Sequence, residues 1–594
     1  MTTRATRGPR RRTVAALMVI LIVLSAFLLR LIDIQVVRAD EHVADSLSVG
    51  NLGSTQRIAG ADGDIVDENG TVLASSVLVY DAQLDPLLIQ QIEDDPDDEP
   101  DVPWEKASKK IAEIIGMKAS DVRALVSDKL EADPHSRYVQ LKKGLTTQKY
   151  LDLKDLGLPY LAMMPRSVRV YPNGAVAGNM IGFLDGEGNG QYGIERTEAE
   201  CLAPTDGERT YLSGKGGVII PGSERVTPAV DGGTVTLTIN SDLNWYLQQM
   251  IAEEAKKQGA QAGSVTVVEV ATGKIRAAAE YPALDPNDIN SVDPTYWKSQ
   301  IFSNSYEPGS TFKAITAATV IDQGAASPLT TVNAPARQVF PNGAVINDPV
   351  RHPTVNYTLA GALIDSSNVS LSKFGTMVTP QVRYEYLKKF GVGKATGVDF
   401  YNEETGGVRD PATWDNQTLY TTTFGQAFTI TTAQLAGAYQ AIANDGKKVD
   451  LSVVESCTAA DGTVTASADP ATEQIVSEET ADDVQRMLEN VAVQGSLAKR
   501  TEVPGYRIGL KTGSAQKSNG NGGYKQGVYF TSIVGVAPIE DPQYVVVVTL
   551  DEPTKLRSSA ANADAFQKAM TQVLKTYRVP PSSQPMEELL PKTN

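Results

Sequence analysis

The stretch Glu307-Pro308-Gly309-Ser310-Thr311-Phe312-Lys313, answered far downstream by Lys511-Thr512-Gly513-Ser514, decides how this 594-residue chain is read. On a helix the i, i+3 spacing puts Ser310 and Lys313 on one face, where a neutral amine can take the proton a hydroxyl loses in becoming a nucleophile. Pro308-Gly309 makes a sharp turn, and Ile315, Ala318, Thr319 and Val320 continue a mostly apolar helix. Ser310 is therefore expected at a helix N-terminus, where the dipole and free N–H groups stabilise developing negative charge. Lys313 must be neutral to act as a base, which requires burial or a neighbouring cation. Spacing alone does not choose this pair, because Ser370/Lys373, Ser496/Lys499 and Ser514/Lys517 repeat it.

Two further elements separate the Ser310 pair from the others. Ser366-Ser367-Asn368 falls in a polar turn after the helical stretch Leu359 to Ile364, offering a hydroxyl to relay a proton and an amide to hold a peptide carbonyl. Lys511 to Ser514 continues a strand from Tyr506 to Leu510. There a lysine charge, the Thr512 and Ser514 hydroxyls and the close approach allowed by Gly513 suit a substrate lying alongside as an added strand, its carboxylate held at Thr512 and Ser514. Serine-x-x-lysine with a later Lys-Thr-Gly is a signature of acyl transfer through a serine.

Composition narrows the setting. With 41% apolar and 21% charged residues the chain is ordinary globular protein, and its length divides it into two or three domains. A net charge of -17 repels nucleic-acid phosphates, and basic residues cluster only at Arg4, Arg7, Arg10, Arg11 and Arg12. No nucleic-acid partner is expected. From Val14 to Leu29 runs an apolar stretch relieved only by Ser25 and continued through Leu31, Ile32, Ile34, Val36 and Val37, close to the ~20 residues a membrane helix needs. The arginines before it keep the N-terminus cytoplasmic and send the remainder outside. A cleaved signal peptide is the rival reading, but no small-x-small site follows, and Arg30 and Asp33 interrupt where one would lie. Cys201 and Cys457 are expected as two isolated thiols, since nothing in their separation supports pairing. With the scattered His42, His135 and His352 they form no ligand-spaced metal cluster. Scarce histidine also disfavours a serine-histidine-aspartate hydrolase, leaving lysine as the base, and no cofactor is expected.

Along the chain, Asp64 to Ala74 reads as a hairpin around Asn69-Gly70, and Glu93 to Pro103 as a solvated loop. Lys106 to Ile115 and Ser120 to Leu130 read as amphipathic helices. A β-rich stretch from Arg166 to Ile239 ends in the alternating strand Thr234 to Ile239. Ser241 is the expected cap of a helix through Trp245, Leu247, Met250, Ile251 and Ala255. Ser264 to Val270 and Lys274 to Ala279 form a hairpin; helices follow until strands around Lys511, Ser532 to Val536 and Tyr544 to Leu550. Strands at both ends with helices between give one sheet assembled from distant segments, an α/β or α+β domain. The expected division is a basic tail (1–12), a membrane anchor (13–37), a β-rich extracytoplasmic pedestal (38–229), the α/β domain (230–578) and a flexible tail (579–594).

On these motifs the chain resembles the class B penicillin-binding proteins of the cell-division type. The likeness also takes in Arg169-Val170-Tyr171-Pro172, Gly190-Gln191-Tyr192-Gly193-Ile194-Glu195, Phe424-Gly425-Gln426 and Ala443-Asn444-Asp445-Gly446. It implies a mainly antiparallel sheet flanked by helices, and a septal D,D-transpeptidase that binds β-lactams and cross-links peptidoglycan stem peptides at D-Ala-D-Ala. Carried over, Ser310 is the nucleophile, Lys313 the base, and Ser366 with Lys511 the proton path to the leaving amine. Asn368 holds the substrate backbone, Thr512 and Ser514 hold its carboxylate beside Gly513, and the N–H groups of Ser310 and Ser514 form the oxyanion hole. Nothing before residue 230 resembles a glycosyltransferase motif, so the resemblance implies a membrane glycosyltransferase and other division proteins as partners. A D,D-carboxypeptidase or β-lactamase, and a non-catalytic scaffold or sensor, are the alternatives. Two positions depart from the family: Asp62-Gly63-Asp64 stands where Arg-Gly usually precedes Ile-x-Asp, and Ala427 stands where a second glycine is frequent.

Overall fold

Five strands drawn from the two ends of the C-terminal half form its central sheet, as the sequence pattern anticipates. The computed structural model describes residues 8–33, 53–94, 102–212 and 220–593. Strands β1 (Ala262–Glu269), β2 (Ile275–Tyr281), β3 (Gly509–Ser518), β4 (Tyr524–Ala537) and β5 (Tyr544–Asp551) lie in the order β2-β1-β5-β4-β3, each pair antiparallel. Val545 to Val548 of the central β5 are all fully buried, so that strand is a continuous apolar run covered on both faces. The covering helices include α1 (Ser241–Gln258), α2 (Lys313–Asp322), α3 (Leu359–Ile364), α4 (Asn368–Gly375), α5 (Thr432–Ala443), α6 (Glu478–Gln494) and α7 (Ala563–Thr576). Helices α1 and α7 pack together on the sheet, α5 packs on β1, β4 and β5, and α6 lies along β3. Because β3 ends the strand order, one of its hydrogen-bonding edges is left for another chain.

The chain forms two compact units, one of Met1–Gly60 with Thr205–Val230 and one of Ala61–Pro204 with Asp231–Asn594. The first holds the helix Gly8–Ile32 and a three-stranded sheet of Gly53–Ile58, Gly207–Leu212 and Arg225–Thr227. Val14–Ile32 of that helix has mean hydropathy 2.8 and no buried residues, which suits a membrane anchor. Residues 1–7 of the basic tail, with Arg4 and Arg7, and Ile34, Val36, Val37 and His42 lie outside the described residues, as do 95–101 of the expected acidic loop.

The expected boundary at residue 230 does not break the second unit. Its other large sheet runs from Val464–Ala466 and Val454–Thr458 through Thr234–Leu237 and Ile65–Val66 to Val72–Leu84, which pairs with both Val139–Leu145 and Leu161–Val170. Thr234–Leu237 thus lies parallel to the first arm of the Asp64 to Ala74 hairpin. Beyond Val72–Leu84 the helices Trp104–Ile115 and Ala119–Ala132, near their expected limits, build a separate core around Ile111, Val122 and Leu153.

Four expectations are corrected. Asn240, rather than Ser241, caps α1 by accepting from Leu243 N, because the Ser241 hydroxyl donates to Asp67 in the hairpin turn at 2.7 Å. Cys201 and Cys457 form a disulfide, with Cα atoms 6.1 Å apart. Pairing of Thr234–Leu237 with Val454–Thr458, and of Gly233 N with Cys201 O, brings the two cysteines together across a separation that local sequence cannot anticipate. The tail from residue 579 also packs back. Lys592–Thr593 pairs with Val355–Thr358, Leu589 is buried, and Pro591 O lies so close to Gly361 that any Cβ there would clash. The stretch from Arg166 to Ile239 is less β-rich than expected, with short helices at Gly178–Ile181, Gly193–Thr197 and Ala199–Leu202.

Candidate active site

Ser310 lies on a 3-10 turn, Gly309–Phe312, that runs directly into α2, so the expected helix start is tightened by one turn. Gly309 takes φ +58°, the conformation demanded of the residue that reverses the chain before the serine. Thr311 Oγ1 donates to Pro308 O at 2.9 Å and the fully buried Tyr439 hydroxyl donates to Thr311 O at 2.7 Å, fixing the turn from both sides. β3 approaches it closely: a Cβ on Gly513 would stand 2.9 Å from Thr311 Cγ2. Gly513 is thus required for packing against the Ser310 turn.

The turn after α3 carries Ser366, the expected relay residue. Ser366 adopts φ +54° just past the helix end, and Ser367 then caps α4 by accepting from Ser370 N. Helix end and helix start together hold the Ser366 hydroxyl between two amines. Lys313 Nζ and Lys511 Nζ each stand 3.1 Å from Ser366 Oγ, and Lys313 also donates to Ser366 O. Both lysines are 0% exposed. Burial, then the nearby Lys511 charge, hold the Lys313 amine well below its ordinary value, with Asp348 opposing. Burial lowers Lys511 to about 7. Two amines that shed protons this readily, joined through one hydroxyl, can move a proton between nucleophile and leaving group.

The remaining expected residues surround the same cleft. Ser310, Ser366, Asn368, Thr512 and Ser514 line one cavity of about 510 Å³ with Thr421 and Gln426. Asn368 Nδ2 donates to Asn347 O at 3.0 Å. Ser514 Oγ accepts from Ser559 N at 2.9 Å and is solvent-exposed. In two of the other serine-x-x-lysine pairs the lysine is taken up by structure: Lys373 donates to Asn333 O, and Lys517 pairs with Asp551 at 2.8 Å.

A family model described as the penicillin binding protein transpeptidase domain matches residues 263–571, and one for the penicillin-binding protein dimerisation domain matches 57–237. The chain belongs to the penicillin-binding protein transpeptidase family. It is 31% identical to the penicillin-binding protein PbpB of Mycobacterium tuberculosis over 97% of this chain and 86% of the relative. It is 27% identical to the peptidoglycan D,D-transpeptidase FtsI of Escherichia coli over 95% of this chain and 91% of that one. Among solved structures, a peptidoglycan synthetase from Bifidobacterium adolescentis is similar with TM-score 0.73, at 26% identity over 91% of this chain and all of that one. Penicillin binding protein 3 from Mycobacterium tuberculosis, complexed with aztreonam, is similar with TM-score 0.68 at the same identity and coverage.

Both departures from the family pattern are accommodated. Ala427 adopts φ +66°, a conformation in which L-residues are strained, and its N–H donates to Glu307 Oε1 at 2.9 Å. Around Asp62-Gly63 the buried Arg169 donates to Gly63 O and to Glu195 Oε1 at 2.7 Å, while Asp62 accepts a long 3.5 Å contact from Ser76 Oγ. Sequence reasoning missed Asp348, whose charge acts on Lys313, and Tyr439, which holds the Ser310 turn. Both reach the site from distant segments with no motif around them.

Proposed function

We infer that this penicillin-binding protein is a peptidoglycan D,D-transpeptidase working through a Ser310 acyl-enzyme. The observation that carries this is the pair of fully buried lysines meeting at Ser366 Oγ beside the Ser310 turn and the open edge of β3. A stem peptide ending in D-Ala-D-Ala lies along β3 as an added strand, its carboxylate at Thr512 and Ser514 and its backbone amide at Asn368. Ser310 Oγ attacks the penultimate carbonyl carbon and gives its proton to Lys313 Nζ. The tetrahedral oxyanion forms against the N–H groups of Ser310 and Ser514. Collapse breaks the C–N bond, and the departing D-Ala amine takes a proton through Ser366 and Lys511. The amine of a second stem then attacks the ester, transfers its own proton to the same relay and frees Ser310.

The protein sits in the membrane by the Val14–Ile32 helix, with its N-terminus cytoplasmic and its catalytic domain outside. Its place is the septum, beside a membrane glycosyltransferase that supplies the glycan strands, a reading supported by full-length likeness to FtsI and PbpB. The test is a fluorescent penicillin on purified protein followed by peptide mapping. The label is expected on Ser310 and absent from Ser310→Ala; label on the variant sinks the assignment. D-Ala release with a donor peptide should yield dimer when an acceptor amine is present, and a purely hydrolytic product would make the enzyme a carboxypeptidase.

A further inference from the structure

A second cavity of about 440 Å³ adjoins the Ser310 cleft, sharing Asp365, Ser366 and Thr512 with it, and within its wall sits a charged pair that the acyl-transfer scheme leaves unused. Asp348, whose side chain is 3% exposed, accepts three hydrogen bonds: from Ser367 Oγ at 2.8 Å, from Val369 N at 2.9 Å and from His352 Nε2 at 2.8 Å. The first two come from the segment carrying Ser366 and Asn368, so this carboxylate holds the start of α4 in place. His352 Nδ1 faces Pro353 O at 2.7 Å. Both ring nitrogens therefore face oxygens that accept, a carbonyl and a carboxylate, and the arrangement is satisfied when both carry hydrogen.

We propose that His352 is a positioning residue for acylation: its doubly protonated ring holds the Asp348 carboxylate, and Asp348 holds the Ser366-Ser367-Asn368 turn and sets the charge facing Lys313. The effect on rate rests on the D,D-transpeptidase reading above. When His352 loses its proton, either neutral tautomer sets a lone pair against one of the two acceptors, Pro353 O or the Asp348 carboxylate, and the carboxylate loses its compensating positive charge. The uncompensated Asp348 charge then favours the ammonium form of Lys313, which cannot accept the serine proton. One protonation event thus acts on the base through the carboxylate that also holds the turn.

The groups around the pair favour the charged ring. Asp348 and Asp365 both raise the His352 pKa, although burial, the largest influence, works the other way. Tyr357 stands edge-on to the imidazole with centroids 5.7 Å apart. Lys592 of the C-terminal strand is the opposing cation, but it is taken up by Asp365 at 2.7 Å and lies over the Tyr357 ring. Arg351, next in the chain, is exposed. Lys313 and Lys511 face the pair from α2 and β3, across Asp348 and Ser366.

The experiment measures the rate of fluorescent-penicillin acylation against pH for the full-length protein and for His352→Gln, Asp348→Asn and the double variant. Wild type should climb as the lysines lose protons, then bend downward by roughly 3- to 10-fold as His352 deprotonates, the span of about one displaced pKa unit. His352→Gln keeps a donor toward Asp348 but cannot titrate, so the bend should vanish. Asp348→Asn should remove the bend as well, and the double variant should add nothing. A His352→Gln profile that keeps the bend at the same midpoint overturns the proposal, as does an additive double variant.

A second readout needs no acylation. A histidine whose folded pKa is raised contributes stability that is complete below its unfolded value near 6.5 and is lost as pH rises through the folded value. Wild-type melting temperature should fall over that interval relative to His352→Gln, and parallel curves sink the idea even if the protein never labels. Failure of wild type to label at any pH would instead count against the transpeptidase reading.

Discussion

Arg169 and the Lys313/Lys511 pair are all buried cations in one chain, yet the fold treats them in opposite ways. Arg169, 5% exposed, donates to Glu195, 1% exposed, and to the Gly63 carbonyl. Lys313 and Lys511 are buried more completely, and their nearest partners are a hydroxyl and backbone carbonyls. A buried carboxylate partner makes the Arg169 guanidinium a structural tie. Without such a partner, burial drives the amines toward their neutral form. Ion pairing here marks architecture, and its lack marks chemistry.

The contrast is broken most directly by removing one cation from each place. Lys313→Met should lower the rate of Ser310 acylation by about 10²- to 10⁴-fold, the usual range for losing a general base, while the melting temperature holds. Arg169→Met should do the reverse. Glu195, already pushed up by burial with Arg169 opposing and Asp62 adding to the rise, is left without its cation, and denaturant unfolding should show a loss of about 3–5 kcal/mol. If both variants lost stability alike, the lysines would be structural.

The disulfide sharpens the same line. Cys201→Ser with Cys457→Ser should destabilise by about 2–4 kcal/mol because the bond closes a long loop, yet acylation of the folded fraction should proceed at the wild-type rate. The last effect is a slope. A lysine whose folded pKa lies near 7 against an ordinary 10.5 binds its proton less well when folded, so stability should rise with pH across that window. Lys511→Met should remove that part of the slope in unfolding experiments run at several pH values, and an unchanged slope would show Lys511 to be charged and paired.

What could be read in advance follows from this division. Ser310, Ser366 and Lys511 each announce themselves locally, through a Pro-Gly turn, a helix end and a glycine-bearing strand, and the structure brings all three to one cleft. The β1–β2 hairpin and the valine run of β5 were equally legible, because period and turn chemistry act over a few residues. Asp348 and His352 carried no such mark, since their importance comes from facing α4 and Lys313 across space. The Cys201–Cys457 bond and the sheet joining Ile65–Val66 to Thr234–Leu237 depend on pairings between remote segments. The C-terminal residues looked polar and loose, but Lys592–Thr593 finds a strand edge that their composition does not advertise.

The sequence by itself marked the candidate serine, the two lysines, the expected relay hydroxyl, the membrane-length helix and the strands of the central sheet. Each is a short-range choice of residue type that no distant segment needs to complete. Tertiary structure alone decided that the lysines lie fully buried on either side of Ser366 Oγ, that Asp348 and His352 stand behind them, and that the remote cysteines meet. Burial, charge proximity and pairing are properties of the closed chain, and they single out one candidate site from a serine-x-x-lysine spacing that occurs four times here.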